Sequence, residues 1–163
     1  MYFQKTLATF IAFAALVLGG CSATPSPQTK EASWIDGPCS SEYPGVTLSV
    51  DFRGEVTTHC ALAFDGNGWE LFEAAGFVVR GTSKYPTAFA CQINQQPADA
   101  SCDDSASNGA YWGYYLSEGG SWGYATTGAS DHSSKCGTWE GWVYIETDIM
   151  ASNLPKPSEF ACS

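Results

Sequence analysis

Residues 110–128 read AYWGYYLSEGGSWGYATTG, and no other stretch of the chain restricts its own conformation so tightly. Gly119 and Gly120 suit the two central positions of a type I′ turn, which both need positive φ, and a two-residue turn fixes the register of the strands it joins. Glu118 then faces Ser121, Ser117 faces Trp122, Leu116 faces Gly123, Tyr115 faces Tyr124, Tyr114 faces Ala125, Gly113 faces Thr126 and Trp112 faces Thr127. Opposed residues share a face, and faces alternate along a strand. One face therefore carries Trp112, Tyr114 and Leu116 opposite small residues, which leaves room for a second layer, and it is expected to form the core beneath a helix. The other carries Tyr111, Tyr115, Trp122 and Tyr124 around Gly113. Rings with polar tips suit a boundary between dry and wet surroundings, and a glycine beside them lets a flat ligand approach the backbone. Two uses of this second face stay open: a stacking surface, or packing beneath the C-terminal tail or the CQINQQPADASC loop.

The rest of the chain supplies partners for that hairpin. GVTLSVDF alternates apolar and polar residues and predicts a strand over Val46–Phe52, with EVTTHCALAF as its hairpin partner. A helix is signalled once, in NGWELFEAAG. Asn67 is placed as N-cap, Glu70 completes a capping box and Gly76 supplies a left-handed stop, while Trp69, Leu71, Phe72 and Ala75 fall on one side. FVVRGTS, FACQIN and GWVYIET read as further strands, the last over Gly141–Thr147, and the tail beyond Asp148 reads as irregular coil. About six strands and one helix predict an α+β domain with the helix across one sheet face. The YWGY and SWGY echo is the two arms of one hairpin rather than an internal repeat.

The cysteines and the leader set the compartment. MYFQKTLATFIAFAALVLGGC has a short basic head, an apolar run too short for a comfortable membrane span, and small residues before Cys21, so residues 1–20 read as a cleavable export signal. LGGC resembles the lipobox of bacterial lipoproteins, which implies acylation of Cys21 and an extracytoplasmic, membrane-anchored location. Residues 21–33, rich in Ser, Thr, Pro and Gln, read as a flexible tether, and 34–163 as one domain. Beyond Cys21 stand Cys39, Cys60, Cys91, Cys102, Cys136 and Cys162, an even number that reads as up to three disulfides in an exported chain. Fifteen connectivities are open, with Cys91–Cys102 favoured by proximity. A zinc site is disfavoured because no C-x-x-C pair is present. Without the leader, 6 basic residues face 17 acidic ones, about −11, so nucleic acid is a poor partner and the lipid is the expected membrane attachment.

GVTLSVDF, NGWELFEAAGF, FACQIN, the Trp-bearing hairpin and the closing EGWVY, in that order, resemble the transcobalamin-like C-terminal domain family over about Val46–Tyr144. The resemblance implies a disulfide-braced β-grasp-like sheet packed on one short helix and a soluble-ligand-binding role, with a corrinoid as the ligand by analogy. It places Trp122, Gly141, Trp142 and Tyr144 at positions that look structural. No helical partner domain accompanies the match, and Cys136 and Cys162 fall outside the family's pattern.

Chemistry is weakly signalled. His59 adjoins Cys60 on a strand, so their side chains point apart. Asp131, His132, Ser133 and Ser134 are too close in sequence to converge as a triad and read as a solvated loop before Cys136. Asp103 and Asp104 lie in a segment without the sixth-position Gly and closing Glu of an EF-hand. The expectation is thus a non-enzymatic lipoprotein without cofactor or metal, binding a flat small molecule through Tyr111, Gly113, Tyr115, Trp122 and Tyr124 as an accessory to uptake. The alternative is an envelope module that docks a protein or glycan partner, with the rings as structural core.

Overall fold

A computed structural model describes residues 33–103, 109–146 and 153–162. The leader, Cys21 and the tether as far as residue 32 lie outside those residues, as do Asp104 and Thr147. The described residues form one compact unit. It is an α+β fold dominated by sheet: β1 (Trp34–Asp36), β2 (Gly45–Phe52), β3 (Glu55–Leu62), α1 (Leu71–Ala74), β4 (Val79–Gly81), β5 (Ala90–Ile93), β6 (Tyr111–Glu118), β7 (Ser121–Tyr124) and β8 (Trp139–Ile145). Six strands make one sheet in the order β1-β3-β2-β8-β6-β7, and β4 and β5 pair separately. β2 and β8 run parallel at the centre, and every other pairing in the main sheet is antiparallel. No helix among the described residues is long and apolar enough to cross a membrane.

The expected hairpin forms in the expected register over its first four pairs, Glu118↔Ser121 to Tyr115↔Tyr124. Gly119 and Gly120 have φ of 58° and 76°, as the type I′ turn requires. β7 stops at Tyr124, one residue before the Ala125 N–H donates to the Tyr114 carbonyl. The other strands fall close to their expected positions, and β1, which lines the outer edge of β3, is an addition to them.

Helix signals also translate into geometry. Asn67 Oδ1 accepts from the Trp69 and Glu70 amides at 3.0 Å each, and Glu70 Oε2 accepts from the Asn67 amide at 3.1 Å. This reciprocal capping box starts the turn that continues as α1. Gly76, at φ +77°, ends it, and the Phe77 amide returns to the Phe72 carbonyl at 2.8 Å. A Cβ at Gly76 would run into the Trp34 indole, so that position also serves the packing of β1.

Alternation along the strands makes two packed faces. The helix-side face holds Val46, Leu48, Val50, Trp112, Tyr114 and Trp142 against the buried Leu71 and Phe72. Tyr114 and Trp142 stack at 4.7 Å, and Phe72 lies 5.1 Å from Trp142. The opposite face carries Tyr115, Val143 and Ile145 with Tyr111, Trp122 and the tail residue Leu154. Segment 153–162 is strapped across it by hydrogen bonds and a disulfide. The Asn153 amide donates to Asp51, Trp122 Nε1 donates to the Pro155 carbonyl at 2.8 Å, Trp139 Nε1 donates to the Ser158 carbonyl at 3.0 Å, and Cys162 bonds to Cys136. The other disulfides are Cys39–Cys60 and Cys91–Cys102.

Candidate functional site

The five residues expected to stack a ligand divide between tail-covered and open positions. Tyr115 is buried, Trp122 and Tyr111 are partly covered, and Tyr124 remains 51% exposed. Gly113 is not an open approach to the backbone: a Cβ there would lie 2.7 Å from Ile145 Cδ1 and 3.2 Å from the Tyr115 ring. Gly141 gives its space to the tail, since a Cβ would lie 2.6 Å from Leu154 Cδ1 and 3.1 Å from the Trp122 ring. The covering of this face by the C-terminal tail is thus the second of the two uses left open by the sequence. A flat ligand over Trp122 would need the space that the tail occupies.

Tyr124 opens instead onto two hollows at the end of the sheet. The larger, about 400 Å³, lies between the end of β6, β7 with its run-on to Thr126, and the loop that enters β8. Leu116, Gly123, Ala125 and Trp139 give it apolar surface, while Ser117, Thr126, Thr138, His132, Lys135 and Glu118 supply polar groups. The smaller, about 240 Å³, lies on the other side of Tyr124–Thr126, with Trp112, Tyr114 and Trp142 behind it. The Tyr124 phenol is pushed above its ordinary value by burial first, then by the charge and hydrogen bond of Tyr111.

Behind the larger hollow sits a polar cluster that sequence reasoning missed. Glu140, fully buried on the helix-side face of β8, accepts from Tyr114 Oη at 2.5 Å through Oε2. Its Oε1 lies 3.5 Å from His132 Nε2, and the His132 side chain is 26% exposed. Burial raises the Glu140 carboxyl above its ordinary value, against the lowering effects of Ser134, Tyr114 and His132. The same burial, with the Glu140 charge, raises the Tyr114 phenol far above the ordinary tyrosine range. Ser134 opposes the Glu140 shift from close by, yet neither its Oγ nor Glu140 Oε1 has a partner at good hydrogen-bonding geometry.

The DHSS segment is a solvated loop only in part: Asp131 and Ser133 are exposed, while its other residues are docked. Ala129–Asp131 form a 3₁₀ turn, Ser134 is buried, and backbone bonds from the Gly68 amide to the His132 carbonyl and from the Ser134 amide to the Gly66 carbonyl dock the segment on the start of the helical turn. Gly68 is part of this arrangement, since a Cβ there would strike Tyr114 Oη and lie 2.6 Å from Glu140 Oε2. One signal was available in the sequence: in WEGWVY, Glu140 has the same parity as the core residue Trp142, an acid at an inward position.

His59 serves packing. Its Nδ1 lies 2.7 Å from the Ala75 carbonyl, its ring stacks on Trp34 at 4.2 Å, and the neighbouring Cys60 is oxidised. Among the described residues, no group of three or more His, Cys, Asp or Glu side chains is placed to hold a metal ion. Compared with protein-family models, with curated proteins and with solved structures, the chain matches none significantly.

Proposed function

We propose that the mature chain is a lipid-anchored cell-envelope protein whose domain, of β-grasp type, binds a small ligand and performs no reaction on it. Supporting the fold reading, β2 and β8 lie side by side and parallel at the centre of the sheet, with antiparallel strands on either flank and a short helix across one face. The leader and LGGC support the anchor.

The observation that carries the binding reading is the hollow of about 400 Å³ beside Tyr124, which combines apolar walls with convergent donors and acceptors. That volume suits a compact molecule or one edge of a larger flat ring, so a corrinoid would engage it only in part. Exposed Tyr124 beside Thr126 and Ser117 also suits a sugar ring, which is the form the alternative of a glycan-docking module takes.

Calorimetry of the full chain in mild detergent, cysteines oxidised, against cobinamide, cobalamin, haem and short envelope glycans tests the reading. Saturable binding by one of them, with a negative heat-capacity change and about tenfold weakening in Tyr124→Ala, is the expected result. Binding that survives Tyr124→Ala but is lost in Trp122→Ala would contradict the location.

A further inference from the structure

The polar end of the larger hollow has an electrostatic arrangement that specifies a ligand class. We infer that this hollow binds a small monoanion with an apolar body, its carboxylate held by His132 Nδ1–H and the Lys135 ammonium, with Glu140 positioning the imidazole from behind. The inference rests on the binding role proposed for the hollow.

Tyr114 Oη donates to Oε2, so Oε1 is the oxygen facing His132 Nε2, with the Ser134 hydroxyl also close by and no hydrogen bond of good geometry to either. A buried carboxylate oxygen without a donor is unfavourable, and one proton shared between Oε1 and Nε2 removes the deficit. That proton can sit on either atom. On Oε1 it is donated to the Nε2 lone pair of a neutral imidazole, whose own proton is then on Nδ1. On Nε2 the imidazole is a cation, and Nδ1 again carries a proton. Both forms present Nδ1–H as a donor, and only loss of the shared proton allows the imidazole to carry its single proton on Nε2 and leave Nδ1 bare.

The groups facing His132 determine what that donor meets. Tyr114 stands edge-on at 6.2 Å from β6, Glu140 lies behind it on β8, and Lys135 and Glu118 line the same hollow. Lys135 adds a second donor and a positive charge. Glu118 and the strongly acidic chain oppose a dianion such as a phosphate monoester, whereas a single carboxylate is balanced by Lys135. Leu116 and Ala125, beside Tyr124, then give surface to an apolar body.

The test is an NMR titration of the full chain in mild detergent with phenylacetate and its neutral counterpart phenylacetamide. Phenylacetate should bind on the order of tenfold more tightly and shift the His132 and Lys135 side-chain resonances. Lys135→Gln, on the loop, and His132→Phe, with folding verified from its amide spectrum, should each lose about that factor. Phenylacetate affinity of the parent chain should fall as pH rises and the raised Glu140 carboxyl gives up its proton. In Glu140→Gln the amide donates permanently to Nε2, so the pH dependence of affinity should flatten. Equal binding of acid and amide would overturn the anion inference and leave the binding role of the hollow standing. Binding of neither probe would remove both. A pH dependence in Glu140→Gln as steep as that of the parent chain would overturn the positioning role of Glu140.

Discussion

At the scale of single residues, Glu140 links stability to the site. Its folded-state carboxyl is raised, chiefly by burial, above the ordinary value of 4.5. Below that value the group is neutral in folded and unfolded chains alike. Between that value and the raised folded value only the unfolded chain ionises freely, so stability present in acid is progressively lost until the folded carboxyl ionises as well. Urea unfolding of the parent chain and Glu140→Gln should therefore show the variant gaining relative stability as pH climbs from 4 to 8, whereas a constant difference would contradict the assignment. Gly68→Ala should cost about 1–3 kcal/mol in the same assay, because its methyl collides with the Tyr114–Glu140 pair. The inward placement of Glu140 follows from the parity of WEGWVY. Its pairing with His132 was not legible, because it depends on a 3₁₀ turn and two loop hydrogen bonds that bring residues eight apart together.

At the scale of elements, the hairpin and the helix behave differently from the tail. Local rules set the register around Gly119–Gly120 and the Asn67–Glu70 capping box, and both forms appear as the residues dictate. Asn67→Ala should cost about 1 kcal/mol in thermal or urea unfolding, with the loss confined to one variant site rather than spread by cavity formation. The path of the tail has no local signal. It depends on Cys136 pairing with Cys162, one of fifteen connectivities, and on indole donors that find carbonyls 33 and 19 residues away. Replacing Cys136 and Cys162 together by Ala should lower stability by about 3 kcal/mol and speed amide exchange along 153–162. Loss of stability without faster exchange there would show that the strap is held by its hydrogen bonds and Leu154 alone.

For the whole molecule, strand order and alternation turn one aromatic stretch into two packed faces and one open ring. The helix takes the face of Trp112 and Tyr114, the tail takes that of Tyr115 and Trp122, and Tyr124 is left at the boundary beside the hollow backed by His132 and Glu140. The central claim is that ligand enters this hollow and leaves the tail in place. The most direct test maps backbone amide shifts of the full chain during titration with phenylacetate, using the tail amides as an internal control. Shifts should cluster at Leu116, Tyr124, Ala125, His132 and Lys135, with those of 154–160 unmoved. Shifts centred on Tyr115, Trp122 and the tail would contradict the central claim and return the site to the covered face.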